Sequence, residues 1–142
     1  MRVIVFVKAT AESETGAMPP PELFEAMTQY HEALVAAGIM QGGEGLHPSS
    51  NGKRIAFDGP NRAVIDGPFT AVSELVAGFW LWKVKDMDEA VAWAKRCPNP
   101  MSGPSELEIR RIYQAEDFGE ALTPEIAARE EKMREQVEGK SK

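Results

Sequence analysis

The sequence predicts an α+β fold, and three observations point to it. Several short segments are rich in β-branched and aromatic residues, which favours strands. Two longer segments place apolar residues at helical spacing. The two kinds of segment alternate along 142 residues, a length that suits one domain with a single sizeable core.

The first strand and the first helix carry the strongest local signals. Residues 2–8 (RVIVFVK) hold four β-branched residues and are apolar on both faces. The prolines of the following loop allow a helix only from Pro21, which suits a first helical turn. Apolar residues then recur at helical spacing as far as Leu34, and Gly38 is expected to end the helix.

A β-hairpin is expected in the middle of the chain. Residues 39–52 (IMQGGEGLHPSSNG) indicate a strand, interrupted by glycine, that leads into a loop. KRIAF and NRAVI then bracket Asp58-Gly59-Pro60, whose residues are typical of a turn. The same tripeptide recurs as Asp66-Gly67-Pro68, directly after the return strand.

The second half repeats the alternation of strand and helix. LVAGFWLWKVK (75–85) is again a strand with apolar residues on both faces. Asp86 and Glu89 form a capping box that opens the second helix, and Pro98 stops it. ELEIRRIYQ (106–114) then alternates as a half-exposed strand.

The predicted order without the hairpin is βαββαβ, the ferredoxin-like pattern, in which two helices cover one face of the sheet. Apolar residues on both sides of the strands around Val5 and Trp80 predict that the other face is covered too. A second copy of the chain is the simplest cover, so we expect a homodimer.

The last residues differ in character from the rest. Thr123 can cap a helix that Pro124 opens, but the apolar stripe along this helix is thin. We expect a domain over residues 1–114 and a C-terminal helical extension over residues 115–142. The extension is expected to pack on the domain or across a dimer.

Composition and charge exclude several classes of function. A net charge of −6 argues against binding to nucleic acid or to an anionic membrane surface. No apolar segment approaches the ~18 residues of a membrane helix, and no signal peptide is recognisable. The single cysteine, Cys97, excludes an internal disulfide framework. We expect a cytoplasmic protein.

Strong catalytic and cofactor motifs are missing from the sequence. Two histidines and one cysteine at unrelated spacings do not make a metal site. A Walker loop, a Rossmann glycine pattern and a nucleophile elbow are also missing. We therefore expect no cofactor and no metal, and the sequence does not decide whether the protein is an enzyme.

Three polar residues near the hairpin are candidates for acid–base catalysis. Asp66 is either a general base or ligand anchor at a strand end, or a turn residue whose carboxylate accepts backbone N–H groups. Glu44 lies among glycines and is either a second carboxylate paired with Asp66 or an exposed loop residue. His47, three residues after Glu44, is either an acid–base group or a residue of a surface loop.

Four further residues are candidates for ligand binding. Tyr30 and His31 lie in the first helix and either reach a ligand cleft or pack in the core. Trp80 is either a core residue or part of a pocket wall. Phe69, after the second Asp-Gly-Pro, is a candidate anchor.

Four segments together resemble the YCII-related superfamily, and specifically its DGPF-domain branch, over about residues 1–113. They are GGEGL (42–46), VIDGPF (64–69), GFWLWKVKDMDEAVAWA (78–94) and ELEIRRI (106–112). The resemblance implies a ferredoxin-like domain that dimerises through its sheets as a dimeric α/β barrel. It also implies a His–Asp pair in the inter-sheet cleft and, for DGPF members, an association with a sigma factor.

Two positions depart from the family pattern. The family's proposed catalytic histidine, eleven residues before Gly38, is Met27 here, and His31 lies one helical turn later on roughly the same face. TAVSE replaces the usual charged segment after Phe69. Two functions stay open. One is the binding of a small organic ligand, with acid–base chemistry on, for example, a small organic acid. The other is a non-catalytic regulatory or scaffolding dimer that associates with a sigma factor.

Overall fold

The computed structural model describes residues 1–140. The chain divides into two compact units, Met1–Arg111 and Ile112–Lys142. The helices and strands, in chain order, are β1 (Arg2–Lys8), α1 (Pro21–Ala36), β2 (Met40–Gly45), β3 (Lys53–Asp58), β4 (Asn61–Asp66), β5 (Val76–Lys83), α2 (Met87–Lys95), β6 (Leu107–Arg111) and α3 (Pro124–Lys140).

The first unit contains a four-stranded antiparallel sheet in the order β2-β5-β1-β6. The strands β3 and β4 form a separate two-stranded sheet that is inserted between β2 and β5. Without this hairpin the order of elements is βαββαβ, and the strand order is that of a ferredoxin-like fold. The predicted α+β fold and its inserted hairpin are therefore confirmed.

The core lies between this sheet and the two helices. Val3 and Val5 of β1 are fully buried, and they pair with Trp82 and Trp80 of β5. Leu34 of α1 belongs to the same buried cluster. Because side chains alternate between the faces of a strand, one residue in two along β1 and β5 packs in this core.

The other face of the sheet is also apolar at its centre. Ile4 pairs with Leu81 and Phe6 with Phe79, so these four side chains share the face away from the core. All four are half-buried. The prediction that β1 and β5 have two apolar faces is confirmed.

The hairpin stands apart from the core. Its turn is at Gly59, where a φ of 58° is a conformation that glycine adopts without strain. Every residue of β3 and β4 is exposed. Ile55, Phe57 and Val64 share one face of the hairpin and are 49%, 72% and 63% exposed.

The second unit is mostly helical. A 3₁₀ segment, Ala115–Ala121, precedes α3. Thr123 accepts the N–H of Ile126 through its hydroxyl at 3.2 Å, which is the predicted cap of this helix. Within the described residues, no helix is both long enough and apolar enough to cross a membrane.

Candidate functional site

A groove runs along one face of α1, and it has two parts. The larger part, the outer cleft, has a volume of ≈ 800 Å³ and lies at the first turn of α1. The smaller part, the inner cavity, has a volume of ≈ 390 Å³ and lies between α1 and β2. The two parts share Val7, Gly45 and Ala77 in their linings, so they are adjacent.

Residues of α1 that are one helical turn apart form one wall of the groove. Leu23 lines the outer cleft, and Met27 and His31 line the inner cavity. Positions four apart lie above one another on a helix, so the groove follows the helix axis. His31 therefore occupies the same wall as Met27, one turn further along, as the sequence predicts.

His31 is held in place by Trp80. The indole N–H of Trp80 donates a hydrogen bond to Nε2 of His31 at 3.1 Å, and the two rings meet edge to face. Because Nε2 is the acceptor, the neutral imidazole carries its proton on Nδ1. Burial lowers the pKa of His31, which favours this neutral form.

The glycines of β2 shape the opposite wall. A Cβ at Gly43 would lie 2.6 Å from Cδ1 of Trp80 and 2.8 Å from the carbonyl oxygen of Phe79, so only glycine lets the indole lie against this strand. A Cβ at Gly45, in contrast, would meet no atom within 4 Å. Within the glycine-rich strand β2, Gly43 thus makes room for the Trp80 side chain, and Gly45 borders open space.

Trp80 and Tyr30 have different surroundings although both are buried. Trp80 lies in the core and also lines the inner cavity. The Tyr30 hydroxyl donates to the carbonyl oxygen of Trp93 at 2.6 Å, and burial raises its pKa. Tyr30 lines neither part of the groove. Its contacts are those of a core residue.

Glu44 and His47 lie on different surfaces. His47 is exposed in the loop after β2 and lines the outer cleft. Glu44 is at the border of the inner cavity, and it pairs with Phe79 in the sheet. Because paired residues share a face, the side chain of Glu44 lies on the face of the sheet away from α1.

Asp66 lies at the base of the hairpin. Its carboxylate accepts a hydrogen bond from Nζ of Lys53 at 2.5 Å, and these two residues are partners across β3 and β4. The Asp66 side chain is 72% exposed and lines neither part of the groove. The Asp66 carboxylate thus bonds to a lysine. As a turn residue, it was expected to accept backbone N–H groups instead. The structure does not bring Asp66, Glu44 and His47 together.

The residues after Asp66 form a latch with the loop that follows β2. A Cβ at Gly67 would lie 1.8 Å from the carbonyl oxygen of Ser49, so this position requires glycine. The Phe69 N–H donates to the Ser49 hydroxyl at 3.0 Å. Ser49 in turn donates its hydroxyl and its N–H to the two carboxylate oxygens of Glu14, the latter at 3.0 Å. The motif thus joins the hairpin to the loop between β1 and α1.

Phe69 is packed rather than open to a ligand. The guanidinium of Arg54 lies 3.9 Å from the centre of its ring, which is a cation–π contact. Arg54 also lies 3.9 Å from a carboxylate oxygen of Glu74. Phe69 lines neither part of the groove.

The motif and the fold together agree with one family of proteins. The YCII-related domain matches residues 1–116. The chain belongs to the YCII-related domain family. The family indicated by the sequence is therefore confirmed, and the DGPF branch within it stays a prediction. None of the curated proteins matches the YCII-related chain significantly.

Among solved structures, the YCII-related chain is similar to that of an enzyme. This is the 5-chloro-2-hydroxyhydroquinone dehydrochlorinase of Burkholderia phenoliruptrix AC1100, in complex with 2,5-dihydroxybenzoquinone. The two sequences are 16% identical, and the match covers 82% of this chain and 98% of that chain, with a TM-score of 0.45.

Residues 1–140 do not contain a set of side chains that could bind a metal ion. No three His, Cys, Asp or Glu residues in this part of the chain are placed to hold a metal ion. Burial raises the pKa of the Cys97 thiol to about 11, so this cysteine is a thiol rather than a thiolate near neutrality.

Proposed function

We propose that this YCII-related protein binds a small organic molecule in the groove along α1. The groove itself carries the proposal. Ligand sites are typically concave, mostly apolar and ≈ 300–1,000 Å³ in volume, with a few polar groups that orient the ligand. The outer cleft has this size and character, and its apolar walls include Met18, Phe24, Leu46 and Met101.

His31 supplies a polar contact at the inner end of the groove. Its neutral ring offers the Nδ1–H as a hydrogen-bond donor, while Nε2 is occupied by Trp80. The bond to Trp80 fixes the orientation of the ring, which supports a role in ligand orientation.

Acid–base chemistry is a second step of the proposal. Of the three sequence candidates, His47 is the one whose position supports such a role, because it lines the outer cleft. An acid–base role of Asp66 or Glu44 lacks this support, because neither residue lines the outer cleft.

The homodimer also stays a proposal, together with the expected ligand cleft between its sheets. Its support is the apolar face of the sheet around Phe6 and Phe79 and the exposed apolar face of the hairpin around Phe57. The groove along α1 is a separate feature, because neither Phe79 nor Phe57 lines its outer cleft.

The groove is tested by filling it. The change Gly45→Leu places a side chain at the junction of the two parts, where a Cβ meets no atom. We expect 2-phenylethanol, as an uncharged probe, to shift the amide resonances of the groove residues in the native protein but not in Gly45→Leu. The matched control is Gly103→Leu, because Gly103 is equally open and lines neither part. Equal shifts in Gly45→Leu and in the native protein would place the probe elsewhere and remove the proposal.

A further inference from the structure

Apart from His47, the polar groups of the outer cleft fall into two sets. In the first set, the hydrogen-bonding groups are already used within the protein. The Ser13 hydroxyl donates to the carbonyl oxygen of Thr10 at 3.0 Å. The side-chain oxygen of Asn99 accepts from the hydroxyl of Ser105 at 2.6 Å. The Ser102 hydroxyl donates to a carboxylate oxygen of Glu12. These groups are not free to select a ligand.

The second set consists of carboxylates. Glu22 makes no hydrogen bond or ion pair within the described part of the chain, and Glu12 engages Ser102 with one of its two oxygens. An ionised carboxylate only accepts hydrogen bonds. The free carboxylate oxygens of these glutamates can therefore only accept hydrogen bonds. A ligand that binds them must donate.

The first turn of α1, which borders the outer cleft, has fewer free N–H groups for an anion than most helix N-termini. Helix N-termini bind anions because their first N–H groups are free. Here Pro20 and Pro21 have no N–H, and the N–H groups of Leu23 and Phe24 both donate to the Pro20 carbonyl, at 3.0 and 3.3 Å. The carboxylate of Glu22 also offsets the positive end of the helix dipole.

Cationic partners for an anion are missing as well. Among the described residues that line the outer cleft and the inner cavity, none is lysine or arginine. An organic acid bound in the outer cleft would face the carboxylates of Glu12 and Glu22 with no lysine or arginine beside it, which costs binding free energy. The same carboxylates would attract a cation.

We propose that the outer cleft binds an organic ammonium ion, a primary or secondary amine carried on an apolar body. Its N–H groups donate to Glu12 and Glu22, and its apolar body packs on Met18, Phe24 and Leu46. The inference rests on the proposed function and specifies its ligand class. It replaces the sequence-based expectation of a small organic acid.

Three probes with the same phenyl-ethyl body separate the possibilities. They are 2-phenylethylamine, 2-phenylethanol and 3-phenylpropionate, which carry a positive, a neutral and a negative group. Dissociation constants are measured on the full chain at pH 7 and low ionic strength, from amide shifts of the outer-cleft residues. We expect the amine to bind tightest and the carboxylate weakest, with the amine affinity falling as salt is added.

Two variants assign the effect to the glutamates. Glu12→Gln and Glu22→Gln are each expected to weaken amine binding about two- to fivefold and to leave alcohol binding unchanged. The control is Glu32→Gln, because Glu32 is exposed on the same helix and lines neither part of the groove. It is expected to bind the amine as the native protein does.

The results separate the ligand class from the site. If the carboxylate binds as tightly as the amine, or if both glutamine variants retain full amine affinity, the ammonium inference is overturned while the groove remains a binding site. If none of the three probes shifts the outer-cleft residues, the proposed function is overturned together with the inference.

Discussion

Glu14 holds Ser49 with both oxygens of its carboxylate. One oxygen accepts the Ser49 N–H at 3.0 Å and the other accepts the Ser49 hydroxyl. The same hydroxyl accepts the N–H of Phe69, so three distant segments of the chain meet at one serine. We infer that the Asp-Gly-Pro-Phe element provides this latch.

Removing the hydroxyl of this serine is the direct test of the latch. Ser49→Ala leaves the Phe69 N–H and one oxygen of Glu14 without their partner, and we expect a loss of about 1–3 kcal/mol in the free energy of unfolding. Urea denaturation measures this loss, and hydrogen exchange of the Phe69 amide locates it. Ser50→Ala is the matched control, since the Ser50 hydroxyl bonds only to exposed Asn51. Equal stability of the two variants would contradict the latch.

The latch also requires glycine at position 67. Gly67→Ala forces the backbone away from Ser49, because the added Cβ would lie 1.8 Å from its carbonyl oxygen. We expect a loss of about 2–4 kcal/mol in the free energy of unfolding, measured by urea denaturation. Gly103→Ala adds the same methyl group to open space and is expected to cost less than about 0.5 kcal/mol. A native-like stability of Gly67→Ala would show that the loop yields easily.

Asp66 is expected to matter little to stability. Its ion pair with Lys53 is exposed on both sides, at 65% and 72%, and such pairs contribute less than about 1 kcal/mol. Asp66→Asn should therefore change the free energy of unfolding by less than that amount, with a smaller change at high salt. Binding of 2-phenylethanol in the groove should be unchanged. A lost or weakened binding in Asp66→Asn, with Asp58→Asn unaffected, would return Asp66 to the ligand site.

His31 should make stability depend on pH. Burial lowers its pKa in the folded protein below the ordinary value of about 6.5, so the unfolded chain binds more protons between the two values. The free energy of unfolding should thus be highest above pH 6.5 and decrease as pH falls below it. His31→Gln keeps an acceptor for Trp80 and should remove this part of the decrease in urea denaturation at pH 7.5 and 5.5. A ring pKa of 6.5 or higher, measured by NMR, would contradict the prediction.

The homodimer is tested in solution. We expect light scattering at micromolar concentration to give twice the mass of the chain. Phe57→Ser, at a side chain that is 72% exposed, should shift the equilibrium towards the monomer, whereas Ala56→Ser on the other face of the hairpin should not. A monomeric native protein would overturn the dimer. The association with a sigma factor stays a prediction of the family resemblance.

Much of the fold could be predicted because its signals are local. Gly38 ends α1 with a φ of 73°, and Asp86 accepts the Glu89 N–H at 2.9 Å at the start of α2. Each of these features depends on residues within one or two helical turns. Alternation along β1 likewise reports which side chains share a face, whatever lies opposite them.

The site could be predicted only in part. Sequence periodicity indicates which residues share one face of a helix or strand, but it does not indicate which residues of other elements pack against that face. The shared face of Met27 and His31 follows from helical spacing, and both residues line the inner cavity. The bond between His31 and Trp80 joins positions 49 apart, and no local pattern marks it. The sequence analysis did not predict that Glu22 and the prolines before it border the outer cleft, although a run of prolines at a helix start already signals a lack of free N–H groups.

The sequence by itself determined the order of helices and strands, the inserted hairpin and the family. The sequence also placed one Asp-Gly-Pro at the hairpin turn and the other after the return strand, but only the tertiary structure showed what each glycine lies against. Gly59 forms an open turn where an added Cβ meets nothing, whereas Gly67 lies against the carbonyl of Ser49. The two tripeptides are identical, so the difference comes entirely from what the fold places beside each one.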